Sequence, residues 1–225
     1  PADYGYLKKT CLNQTDDGMD LSDETTFTRY IKGNADGYDS DIRYYRWSAT
    51  ADLSDKTEQV NEILSARHSI SPQNVLYYES DGTTEMDVSD AGKKMGDITG
   101  MSVEARSGSG SILTLNLTYE HGVVKVKTED NIRKILGCMI EKIVYADATE
   151  SENMTMLPSA FSTIEKQEDG TYLLSGGGYG HGLGMSQNGA NGMAKAGMNY
   201  LDILNYFYQD IKIETIGEME GKKTL

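Results

Sequence analysis

Residues 175–190, SGGGYGHGLGMSQNGA, gather a histidine, a tyrosine, two serines and two side-chain amides among seven glycines. These residue types suggest several chemistries, and the spacing tests each. A nucleophilic serine needs a base and an orienting partner; His181 stands close to Ser186 on the same loop, and no third member declares itself. GMSQNG also misses the G-x-S-x-G elbow, because its second glycine falls one residue too late. Neither phosphate-cradling pattern, G-x-G-x-x-G or G-x-x-x-x-G-K-[ST], can be read from any of these glycines. A metal site would need clustered ligands, but His68, His121 and His181 are scattered singly and no C-x-x-C occurs. Two readings remain open. In one, the glycines let a loop pack closely on its neighbours and His181 is a hydrogen-bonded scaffold residue. In the other, bare backbone N–H groups, Tyr179, His181 and a helix start at Ser186, Gln187 and Asn188 face a carboxylate or a hydroxyl-rich sugar.

A chain of 225 residues with 38% hydrophobic and 25% charged residues and a mean hydropathy of −0.52 reads as a water-soluble globular protein. A formal net charge of −14 argues against a nucleic-acid surface, which needs a basic patch. No apolar run approaches the roughly 18 residues of a membrane span. The opening PADYGYLKKT carries neither an initiator methionine nor a signal sequence, as in a fragment of a longer protein. Cys11 and Cys138 are too few for a disulfide framework; two free or buried thiols are expected, with a single bridge between them as the alternative. Fifteen tyrosines against three phenylalanines suit either half-exposed sheet or a wet carbohydrate-binding surface.

The elements that must position the glycine loop follow from periodicity. Residues 1–40 read as irregular, with Glu24 on a loop. YYRWSAT (44–50) has strand character, Ser54 is expected to cap a following helix, and 80–96 reads as a turn-rich connection. DITGMSVEARS, the turn GSGS and ILTLNLTYEHGVVKVKT alternate as two or three antiparallel strands. Thr128 is placed to cap a short helix that Gly137 stops, and 160–178 reads as a hairpin turning at 168–170. Ser186 and Asn199 are expected to cap two late helices, Gly197 to end the first of them, and IKIETI to close as a strand. The expected fold is α+β: antiparallel sheet with a few helices, the last two after the glycine-rich loop.

At the loop the sequence resembles the stage II sporulation protein D (SpoIID/LytB) family. GGGYGHGLGMSQNGANGMAKAG (176–197) fits the family's C-terminal signature throughout, and YLDILNYFYQDIKI resembles the segment after it. YYRWSAT, ITGMSVEARSGSGSILTLNL, IRKILG and LPSAFSTIE resemble earlier family segments, so the likeness runs over about 41–213, with 1–40 as a remnant of the preceding part. The resemblance implies extracytoplasmic work on bacterial cell wall in a sporulating Gram-positive host. Characterised members look like lytic transglycosylases of engulfment, which cut glycan strands and leave a 1,6-anhydro end. One glutamate, as acid and then base, suffices for that chemistry.

The family's catalytic glutamate belongs to a segment resembling E-A-L-K-A-Q-A-V-A-A-R-T-Y, which this sequence lacks, so the catalytic residue is unassigned. Glu104 and Glu141 read as ordinary surface or paired carboxylates. The expected substrate-binding residues are Tyr179, His181, Ser186, Gln187 and Asn188, together with Arg106, for which a structural ion pair is the alternative. No metal or cofactor is expected. The implied partners are peptidoglycan glycan strands and other sporulation cell-wall proteins. The competing function is a non-catalytic glycan-binding or amidase-enhancer module.

Overall fold

The computed structural model describes residues 19–33 and 36–214. The described chain falls into two compact units. One comprises Met19–Asp36 and Ser40–Gly182; the other comprises Gly37–Asp39 and residues 183–214.

The larger unit begins with α1 (Glu24–Lys32), where the sequence reading expected a loop. The Asp23 carboxylate caps it, accepting from the Thr26 N–H at 2.8 Å. Glu24 in its first turn and Arg29 and Lys32 in its last oppose the helix dipole. Phe27 and Ile31, four residues apart, are buried, with Tyr30 and Phe161 packed against them. This tertiary burial, absent from local composition, makes the polar segment helical.

Two antiparallel sheets follow. β1 (Trp47–Ala51) lies between β6 (Ile140–Tyr145) and β9 (Tyr172–Gly176), flanked by short β7 (Glu150–Glu152) and β8 (Glu165–Lys166), in the order β7-β6-β1-β9-β8. The second sheet takes β2 (Val75–Tyr78), β5 (Gly122–Lys127), β4 (Ile112–Tyr119) and β3 (Ile98–Arg106), in the order β2-β5-β4-β3. The expected alternation along β4 holds from Leu115 onward, where Leu115, Leu117 and Tyr119 are buried. It reverses at the start: Ile112 is buried and Leu113 is 51% exposed, because the β3–β4 register shifts between Ala105 and Arg106.

Between the strands stand α2 (Thr57–Ile70), α3 (Val88–Lys94) and α4 (Glu129–Met139). α2 begins at Thr57, and Ser54 does not cap it; its buried residues are Val60 and Leu64. α3 forms within the segment read as turns, capped by Asp87 through the Ser89 N–H at 2.8 Å. Thr128 occupies the N-cap position of α4 without a side-chain hydrogen bond. The helix runs through Gly137 to Met139, and a Cβ at Gly137 would lie 2.5 Å from the Met156 backbone. Cys138 is buried there, its thiol donating to the Ile135 carbonyl at 3.1 Å, while Cys11 lies outside the described residues.

In the smaller unit, α5 (Gln187–Lys195) and α6 (Tyr200–Phe207) pack through Met193, Ile203 and Phe207. Gly192 of α5 lies directly against the Tyr38 carbonyl, where no larger residue fits. Residues 211–214 are irregular rather than a closing strand, and the rest of IKIETI lies outside the described residues. The class is α+β, as expected, and among the described residues no helix is long and apolar enough to cross a membrane.

Candidate functional site

The glycine loop leaves the sheet at the end of β9. There the antiparallel register sets Trp47 opposite Gly176, and the indole lies against the glycine where a Cβ would stand. A Cβ at Gly177 would lie 2.6 Å from the Tyr45 carbonyl. These two glycines are therefore packing glycines, as the scaffold reading held. From Gly178 onward the reason changes. Gly178, Gly180, Gly182 and Gly184 have φ of 78°, 128°, 73° and 74°, values that L side chains rarely adopt. The backbone thus turns at alternate residues, and the residues between, Tyr179, His181 and Leu183, are exposed.

Hydrogen bonds hold the start of this loop. The Gly178 N–H donates to the Tyr44 carbonyl at 2.7 Å, the Trp47 indole N–H donates to the Gly178 carbonyl at 3.3 Å, and the Gly180 N–H donates to the Pro158 carbonyl at 2.9 Å. The Ser159 hydroxyl donates to the Gly177 carbonyl at 2.7 Å. Tyr179 is 68% exposed, yet its ring rests on that of Tyr44, centroids 4.6 Å apart and planes tilted by 40°. A tyrosine ring open to water on a fixed backbone can take the apolar face of a sugar without first being ordered.

The smaller unit carries the remaining predicted residues. The Ser186 hydroxyl accepts from the Gly189 N–H at 3.0 Å, the expected cap of α5. Gln187 and Asn188 are exposed on its first turn. Asn199 caps α6 as expected, accepting from Leu201 and Asp202 N–H at 2.9 and 3.1 Å, and Gly197 ends α5 at φ 91°.

Arg106 is engaged elsewhere in the larger unit. Its guanidinium makes a two-pronged pair with Glu24, Nε to Oε2 at 2.9 Å and Nη2 to Oε1 at 2.9 Å. It donates also to the carbonyls of Gly110 at 2.6 Å and Ser162 at 3.0 Å, and lies 3.7 Å over the Phe27 ring. Burial pulls its pKa below the ordinary value, and the Glu24 carboxylate opposes that shift. The structural ion pair is the alternative realised here. Glu104 is paired with Lys125 at 2.6 Å and Glu141 is exposed on β6, as expected of ordinary carboxylates. Among the described residues, no three His, Cys, Asp or Glu side chains are grouped to hold a metal ion.

Sequence reasoning missed Tyr44 and Arg43. The Arg43 guanidinium lies 4.0 Å over the Tyr145 ring and 5.1 Å from that of Tyr44, and Tyr44 meets Tyr145 edge-on at 5.2 Å. The signal available was the aromatic run before Trp47, but only the β1–β9 pairing tells that it ends beside Tyr179.

A family model described as "Domain of unknown function (DUF8618)" matches residues 81–184. The chain is 40% identical over 74 residues to the amidase enhancer of Bacillus subtilis (strain 168), covering 31% of this chain and 10% of that protein. It is 46% identical over 48 residues to stage II sporulation protein D of Bacillus amyloliquefaciens, and 48% identical over 48 residues to its namesake from Bacillus subtilis (strain 168). Each of these two matches covers 21% of this chain and 14% of the relative, so the likeness spans a small part of each protein.

Proposed function

We propose that this chain, which is related to the SpoIID family, works on bacterial cell wall in sporulation and carries a glycan-facing surface built on the loop after β9. The observation that carries the reading is the exposed Tyr179, fixed on Tyr44 and followed by exposed His181, at the end of a rigidly bonded strand. Tyr179 offers a stacking face and His181 a hydrogen-bonding ring; on the smaller unit, taken by itself, Gln187 and Asn188 offer amides for hydroxyl or acetamido groups. The Ser186 hydroxyl is already occupied as a cap, and Arg106 as a structural pair, so neither is the main contact.

The reaction class proposed for the whole protein is lytic transglycosylation outside the cytoplasm. The carboxylates of Glu24 and Glu104 are both engaged by cations, and a general acid must be free to give up its proton to the glycosidic oxygen. The second reading, a non-catalytic amidase-enhancer module, draws support from a relative of that name. Incubating the chain with peptide-stripped glycan strands and searching the products by mass spectrometry for 1,6-anhydromuramyl ends separates them. Such ends indicate a lyase; bound but uncut strands indicate the module; strands neither bound nor cut overturn the glycan reading. Under either glycan reading, His181→Ala is expected to weaken strand binding about tenfold, the worth of one or two lost hydrogen bonds.

A further inference from the structure

Resting on the glycan reading above, we propose that Tyr179, backed by Tyr44, is a stacking platform for a single sugar ring, and that Arg43 beside Tyr44 selects a sugar bearing a carboxylate. With centroids 4.6 Å apart and planes tilted by 40°, the two rings overlap, so Tyr44 backs the inner side of Tyr179 while 68% of Tyr179 stays open. The platform is preformed. The Tyr44 carbonyl takes the Gly178 N–H, the Arg43 carbonyl takes the Ala146 N–H at 3.1 Å, and Tyr145 braces Tyr44 edge-on. Stacking therefore costs little ordering.

The charge at the margin favours one kind of occupant. Several other cations of this unit are matched to carboxylates, Arg106 to Glu24, Lys32 to Glu165, Lys125 to Glu104 and Arg133 to Glu129, while Arg46 spends its guanidinium on the Ile31 and Tyr45 carbonyls. Arg43 makes no ion pair among the described residues, and its Nε is buried without a hydrogen-bond partner. Its weak Coulomb partner Asp147 spends its carboxylate on the Thr149 N–H and hydroxyl. In a chain of net charge −14, a half-buried arginine held against two tyrosine rings and left without an ion pair fits an anionic ligand group. A ring-borne carboxylate placed beside a stacked sugar supplies it.

The chain's single tryptophan, bonded to Gly178 next to the platform, reports occupancy by its emission. Three probes are titrated: the disaccharide of N-acetylglucosamine and N-acetylmuramic acid, the methyl ester of that acid, and uncharged di-N-acetylglucosamine. Wild type is expected to bind the acid about tenfold more tightly than the ester. Tyr44→Ala and Tyr179→Ala should each weaken all three about tenfold, with Tyr44→Phe and Tyr179→Phe near wild type. Arg43→Gln should erase the acid's advantage and leave the uncharged sugar unchanged. Equal affinity for acid and ester in wild type overturns the role of Arg43 without any variant. Unchanged binding by Tyr179→Ala, an exposed position that folds, overturns the platform while leaving the glycan reading intact. Absence of binding to all three and to long strands overturns both.

Discussion

Glu24→Gln would leave the Arg106 guanidinium, whose side chain is 1% exposed, with two carbonyls and a phenylalanine face but no counter-charge. Because Glu24 is half in water, the expected loss of stability is about 1–2 kcal/mol, while Arg106→Ala should lose about 3 kcal/mol by also orphaning the Gly110 and Ser162 carbonyls. Urea unfolding midpoints measure both. Glycan affinity should not follow them; a variant that lost affinity while keeping its midpoint would return Arg106 to the ligand. Ser186→Ala should likewise behave as a lost cap, about 1 kcal/mol, with Ser186→Gly nearer wild type.

Two helix glycines separate packing from propensity at the scale of the element. In α3, a Cβ at Gly92 meets nothing within 4 Å, so Gly92→Ala should stabilise by about 0.5–1 kcal/mol through helix propensity alone. In α4, Gly137→Ala must push the Met156 backbone, and should destabilise by about 1–3 kcal/mol despite the same gain in propensity. Thermal unfolding of the pair should move in opposite directions. The same contrast explains which elements were legible in the sequence. β3 to β5, the hairpin turn at Gln167–Gly170 and the capped helices α5 and α6 carry their signals within a few residues. α1 and α3 have caps as good, Asp23 and Asp87, but sit among Asp, Ser and Gly that equally signal turns, and only burial of Phe27, Ile31 and Ala91 decides for helix. Of the candidate site, Tyr179 and His181 were legible because glycines isolate them. Tyr44 was not, since strand pairing brings it in, and the pairing of Arg106 with Glu24 spans 82 residues.

For the molecule as a whole, a set of exposed aspartates ties its acid limit to turn geometry. Asp23, Asp81, Asp87, Asp147 and Asp169 each accept hydrogen bonds from nearby Thr or Ser, which hold their carboxyls below the ordinary 3.8. A depressed folded value means the unfolded chain takes up protons first. Their contribution is complete above about pH 5 and is lost as pH falls through and below 3.8. Thermal midpoints should therefore show no acid loss from these groups between pH 7 and 5 and a steep fall between 4 and 2, blunted in an Asp81→Asn variant. Cys138 supplies a clock for the same transitions. Burial pushes its thiol up to about 11, and the residue is only 8% exposed on the inner face of α4, so an alkylating reagent at neutral pH finds it only when the helix has opened. When reclosing outruns the reagent, the labelling rate of the Cys138 peptide counts the open fraction; when the reagent wins, it times the opening itself. One native thiol thus lets both be followed in unmodified protein, with glycan present or absent.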